Sequence, residues 1–105
     1  MKIKSVEIFL LDGGRPGWRP IVCRVNTDEG LYGCGEASVG FDAGALGSVG
    51  MLRELAPPCI GMDPMANEAV WDHLFHDSFW GQGGGVIAFS AISAIDTALW
   101  DIRGK

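Results

Sequence analysis

From Met1 onward the chain alternates polar and apolar residues, with Val6, Ile8 and Leu10 in one row, which predicts a first strand over 2–11. Asp12-Gly13-Gly14-Arg15-Pro16-Gly17 breaks the alternation and predicts a mobile loop. A second alternation, Ile21, Cys23 and Val25, predicts a strand over 19–27. After the turn Thr27-Asp28-Glu29-Gly30, a third run predicts a strand over 31–37. So short a connection between the second and third strands requires an antiparallel hairpin, because a parallel crossover needs about a dozen residues or more. Gly33 and Gly35 leave the third strand without side chains on one face, where another backbone or a packed helix is expected to come close.

Beyond Phe41 the period lengthens. Leu46, Val49, Arg53 and Ala56 share one helical face, which predicts a helix over 43–56 with Asp42 as its N-cap and Pro57-Pro58 as its end. Gly44, Gly47 and Gly50 each cost that helix ~1 kcal/mol relative to alanine, so packing must hold it. Asp63-Pro64 reads as a second helix start, over 64–76, with Ala66, Val70 and Leu74 as its stripe and Trp71 and Phe75 beside them. The third helix, over 86–103, carries Ala88, Ile92, Ile95, Leu99 and Ile102. The small residues Ala91, Ser93, Ala94 and Ala98 between them let neighbours approach on more than one side. The fold class expected is α+β: a three-stranded antiparallel sheet followed by three helices, in one domain spanning 1–105.

Composition sharpens this picture. The mean hydropathy is +0.20, high for a chain of 105 residues whose large relative surface favours a polar exterior, so some apolar surface is expected to face another domain. Thirteen acids against eight bases give a net charge of −5, which argues against nucleic acid as a partner. The longest apolar stretch, Val86 to Ile95, falls short of the ~20 residues a membrane span needs, and the start reads as a strand where a signal peptide would be continuously apolar. A cytoplasmic protein with no membrane partner is expected. Cys23, Cys34 and Cys59 contain no C-x-x-C and read as reduced, buried thiols, and His73 and His76 as surface residues of the second helix.

Candidate chemistry is sparse. There is no G-x-S-x-G or H-E-x-x-H. The glycines at 81, 83, 84 and 85 precede a helix, where an anion could bind, but they lack the lysine of a phosphate loop and read as a flexible entry. Glu36 at a strand end and Asp96 inside an apolar helix could each serve as base or metal ligand. Each also has a structural reading, Glu36 as an acceptor for the following loop and Asp96 as a residue that faces solvent or accepts from a neighbouring segment. Asp101 could accept from a neighbouring segment or pair with Lys105 at i, i+4.

Three stretches together resemble one family: Val25 to Ala37, where a threonine-acid-acid-glycine turn leads into G-x-G-E; Ile60-Gly61-Met62-Asp63-Pro64 with Trp71; and Ser93 to Lys105. They resemble the N-terminal capping domain of the mandelate racemase and muconate lactonizing branch of the enolase superfamily. Phe79 to Gly85 is most similar to its acid-sugar dehydratases, especially those of galactonate type. The glycine-rich first helix and first loop depart from the pattern. The resemblance implies a lyase of two domains, a cap and a β/α barrel that is not in this chain, forming a homo-oligomer. The barrel would bind Mg2+ and remove the α-proton of a small carboxylate substrate, a sugar acid, so the chain alone is expected to hold no catalytic or metal-binding residue. Two loops, 12–20 and 38–43, would touch the substrate's distal part: Arg15 to meet a hydroxyl or carboxylate, Trp18 and Phe41 to wall off solvent, or each merely to cover the sheet edge. The alternatives are a racemase, epimerase or cycloisomerase, and, from another class, a stand-alone binding module.

Overall fold

The structure, a computed structural model, describes residues 1–105. Its elements in chain order are β1 (Ile3–Leu10), β2 (Ile21–Thr27), β3 (Tyr32–Ala37), α1 (Asp42–Cys59), α2 (Asn67–His76) and α3 (Gly85–Gly104). The strands form one antiparallel sheet in the order β1-β2-β3, with β2 and β3 paired as the hairpin that their short turn requires. In that turn Thr27 donates its N–H and its hydroxyl to the Leu31 carbonyl at 3.0 and 2.8 Å, and Gly30 supplies the left-handed φ of 84°.

Ile21, Cys23 and Val25 are fully buried on the helix-covered face, the face that their alternation indicates. Val6, Ile8 and Leu10 are partly buried against the same core. Ile3 is buried with them although it has the opposite parity, because the register shifts between Ile3 and Ser5 and this bulge returns Ile3 to the core side.

α3 lies along β3 with almost no gap. A Cβ on Gly33 would overlap the Ala98 carbonyl oxygen, and one on Gly35 the Ala94 carbonyl oxygen. The bare face of β3 and the buried alanines 91, 94 and 98 of α3 are therefore two halves of one close approach. Where α3 ends, its side chains meet the outer edge of β3. Asp101 Oδ2 accepts from the Cys34 N–H at 3.0 Å, and Lys105 Nζ donates to the Tyr32 carbonyl at 2.9 Å. On the other side of the sheet, Ile3 exchanges bonds with Met62 and Gly61.

Several expected boundaries move. Helix α1 begins at Asp42 itself, with Phe41 at the N-cap position and no side-chain cap. It continues through Pro57 and Pro58 to Cys59, ending as Ile60 N–H donates to the Pro57 carbonyl at 3.2 Å. Both prolines face solvent, as do Arg53 and Glu54, so water can serve the carbonyls that lose a backbone partner. The buried stripe of α1 is Ala45, Val49, Leu52, Leu55, Ala56 and Cys59, while Leu46 points outward at 64% exposure. Asp63-Pro64 forms a turn before α2, with Asp63 Oδ1 accepting from the Met65 N–H at 2.9 Å, and the helix starts only at Asn67. An aspartate before proline serves a turn as well as a helix cap, and here the side chain closes the turn. Ala66 is exposed and Asn67 takes its place in the buried stripe.

At 20 residues, with a mean hydropathy of 1.4 over an 18-residue window, α3 meets the length and composition for crossing a membrane, which Val86 to Ile95 alone did not suggest. Half of that window is buried inside the domain, where packing on β3 and α1 accounts for its apolar character.

Candidate functional site

The two loops singled out in the sequence meet at one end of the sheet. The first, 11–20, continues the β1–β2 ladder: Leu11 N–H donates to the Pro20 carbonyl at 2.8 Å and Gly13 N–H to the Trp18 carbonyl at 3.0 Å. Its tip is closed by Asp12 Oδ1, which accepts from the Gly14 N–H at 2.9 Å, and by the Trp18 N–H, which donates to the Arg15 carbonyl at 3.2 Å. The second loop, 38–41, is laced to the first. Arg19 N–H donates to the Gly40 carbonyl at 2.6 Å, Asp42 N–H donates to the Gly17 carbonyl at 2.9 Å, and Trp18 pairs with Phe41 in an isolated antiparallel bridge.

This lacing brings Arg15, Trp18 and Phe41 together. The Arg15 guanidinium lies over the Trp18 ring at 5.1 Å from its centroid, a cation–π contact. Trp18 is half-buried, while Arg15 and Phe41 are exposed, Phe41 at 53%. The rim thus joins a planar fork of hydrogen-bond donors to two aromatic walls. In this conformation the first loop has backbone hydrogen bonds both within itself and across to its neighbour. Asp42 is the residue that the sequence pattern misjudged here. It is the one non-glycine at positive φ, 48°, and its carboxylate lies against Gly17, where a Cβ would come within 2.7 Å of Oδ1. The visible signal was the pair of a glycine and an aspartate, two residue types that tolerate left-handed backbone.

The other candidates lie elsewhere and stand apart from one another. Glu36 is exposed on the face of β3 opposite the helices and accepts no hydrogen bond from the loop that follows it. Asp96 is half-buried on α3; burial raises its pKa, opposed by a hydrogen bond from the Trp100 side chain. His73 and His76 lie on α2, bonded to Asp77 and Asp72, each at 2.7 Å. Cys23 and Cys59 are buried, but Cys34 is exposed, contrary to the reading of three buried thiols. Its neighbours Gly33 and Gly35 face α3, so strand alternation turns Cys34 to the opposite side. No three His, Cys, Asp or Glu side chains are grouped so as to hold a metal ion.

Residues 17–105 match the model of the mandelate racemase / muconate lactonizing enzyme family, N-terminal domain. The chain belongs to this family. It is 37% identical over its whole length to a D-galactonate dehydratase family member from Oceanicola granulosus and 35% identical to a D-mannonate dehydratase from Novosphingobium aromaticivorans, covering 24% and 25% of those proteins. Among solved structures, an enolase superfamily member from Salmonella Typhimurium superposes with a TM-score of 0.90 at 48% identity, over 98% of this chain and 25% of that one. An enolase from Pantoea ananatis with bound D-gluconate and magnesium superposes with a TM-score of 0.84 at 34% identity, over 98% of this chain and 24% of that one. The mandelate racemase / muconate lactonizing enzyme N-terminal domain described here therefore spans about a quarter of the length of these relatives.

Proposed function

We propose that this domain caps the active site of a two-domain acid-sugar dehydratase, with the laced rim of Arg15, Trp18 and Phe41 facing the part of the substrate remote from the reacting carbons. The observation that carries this reading is the joining of two loops distant in sequence into one surface that combines a guanidinium with aromatic walls. Such a surface suits a polyhydroxylated carboxylate: Arg15 can hold a hydroxyl or a carboxylate oxygen by paired N–H donors, and Trp18 and Phe41 exclude water from the closed site. The dehydratase names of both curated relatives, and the bound D-gluconate of a structural neighbour, support the substrate class.

In this reading the chemistry belongs to a β/α barrel domain. Magnesium, where present, would stabilise the negative charge that develops on the substrate carboxylate as its α-proton leaves. This chain's residues do not fit such an ion, since no three potential ligands are grouped so as to hold one. Its own contribution is binding and exclusion of solvent. Because the loops share backbone hydrogen bonds, closure moves them as one body, and binding energy gained on Arg15 is transmitted to the Trp18 wall through the stacked pair.

The test is a kinetic screen of aldonic and aldaric acids on the intact protein and its Trp18→Ala variant. The variant should lose about ten- to a hundredfold in kcat/KM on the best substrate, equivalent to roughly 1.4 to 2.7 kcal/mol of transition-state stabilisation, with magnesium affinity unchanged. Unchanged kinetics would make Trp18 a cover for the sheet edge and place substrate selection elsewhere.

A further inference from the structure

Trp18 stands in the middle of three chain segments. On one side the Gly13 N–H donates to its carbonyl at 3.0 Å, and on the other it pairs with Phe41 in the antiparallel bridge. The two bonds that make the bridge, from the Arg19 N–H to Gly40 and from the Asp42 N–H to Gly17, lie one residue to either side of it. Trp18 and Phe41 therefore occupy the narrow, non-hydrogen-bonded position of an antiparallel pair, in which facing side chains come closest. Rings so placed ordinarily meet. No ring contact joins these two, although other neighbouring aromatics of the domain, such as Trp71 with Phe75 and Phe79 with Trp80, do touch.

The cause lies on the other side of Trp18, in the first loop. A Cβ on Gly13 would come within 2.5 Å of Cδ2 and Cε3 of Trp18 and within 2.7 Å of its carbonyl oxygen, so the indole fills the space that a side chain at position 13 would need. The backbone conformation does not itself call for glycine there, because Gly13 lacks the positive φ of Gly14 at 80° and Gly17 at 78°. Gly14, by contrast, has nothing within 4 Å of its missing Cβ. Laying an aromatic ring across a facing glycine shields the bare backbone of a strand border. The Arg15 guanidinium, 5.1 Å from the indole centroid, adds a second contact to the same ring.

We infer that Gly13 is a positioning residue of the rim. Its empty Cβ position lets the Trp18 indole lie back over the first loop, away from Phe41, and so keeps apart two aromatic walls that their backbone register would otherwise bring together. The inference rests on the capping reading, in which the remote end of a sugar acid enters between those walls. Gly13 touches no substrate. It acts through the ring, which is set in place before a ligand arrives and needs little further ordering on binding. A side chain at position 13 drives the indole toward Phe41 and narrows the entry.

The test is a double-mutant cycle on the intact protein with its best aldonic or aldaric acid, each variant assayed well below its unfolding midpoint. Trp18→Ala alone tests the capping reading. Gly13→Ala should lower kcat/KM at least about fivefold in the native background and less than about twofold in the Trp18→Ala background, where the ring it displaces is gone. The contact with the Trp18 carbonyl is common to both backgrounds and sets what remains. Equal losses in both would show that the loop backbone, and not the ring, needs the glycine, and would overturn the inference. Kinetics untouched by Gly13→Ala while Trp18→Ala costs activity would overturn it too and leave capping standing. A silent Trp18→Ala would remove capping and positioning together. If Gly13→Ala alone fails to fold, recovery of the folded protein by adding Trp18→Ala supports the role, and failure in both backgrounds overturns it.

Discussion

Cys23 and Cys34 stand one register step apart on neighbouring strands, opposite Gly35 and Arg24 respectively, yet they face opposite sides of the sheet. Burial pushes the Cys23 thiol up to about 12 and the Cys59 thiol up to about 11, so neither supplies a thiolate near neutral pH. Iodoacetamide at about pH 8 should therefore modify Cys34 alone in the folded chain and all three cysteines in denaturant, as read by intact mass. Rapid double labelling of the native chain would contradict the burial described. Asp101 gives a second residue-scale test. Its carboxylate accepts from the Cys34 N–H and is paired with Lys105, which together hold its pKa below the ordinary 3.8. A lowered folded value means that this contribution is present at pH above 3.8 and is lost as pH falls through the lower folded pKa. Asp101→Asn should thus lower the urea midpoint near neutral pH and show a smaller further drop than the wild type between about pH 5 and pH 2.5. An equal drop in both proteins would remove Asp101 from the acid response.

At the scale of elements, glycines of the same composition have opposite meanings. Gly35 has no room, because any Cβ there overlaps the Ala94 carbonyl, whereas Gly50 sits exposed in α1 with nothing within 4 Å. Gly35→Ala should cost roughly 1–3 kcal/mol or prevent folding, while Gly50→Ala should stabilise by about 0.5–1 kcal/mol, both measured by urea unfolding. Like signs for the two substitutions would mean that α3 does not pack on β3 as described. Sequence pattern made the first case legible, since two alternate glycines in a strand already called for a close neighbour. All three strands, the hairpin and the buried face of β2 were equally legible, because period-two alternation and a tight turn leave few other solutions. Boundaries were less so. Asp63-Pro64 satisfies a turn and a helix start alike, and which it forms depends on where Asn67 is buried. The outward Leu46 was misread because glycines at 44, 47 and 50 blur the helical stripe that would have located the core side. Of the candidate site, the three residues were legible but their lacing was not, since backbone hydrogen bonds between two loops leave no mark on side-chain identity.

For the whole molecule, the high mean hydropathy finds its counterpart in large apolar side chains that the domain does not cover, among them Phe79 at 84%, Val86 at 64% and Trp100 at 54% exposure. A small domain with such a surface and an open-sided sheet carries a hazard of its own, for any unpaired strand border is a template on which an identical chain can add. The last turn of α3 bears on that hazard. Asp101 and Lys105 occupy a donor and an acceptor position that an added strand would need along β3, and Gly61 and Met62 do the same beside Ile3. The side chains that anchor the final helix therefore also act as terminators of strand-by-strand polymerisation. Replacing both Asp101 and Lys105 by alanine should leave the monomer folded at low concentration but make it assemble into β-rich aggregates as concentration rises, followed by light scattering and infrared amide bands. A double variant that stays monomeric would show that the flanking helix alone is barrier enough, and that a self-limiting border was only a by-product of helix anchoring.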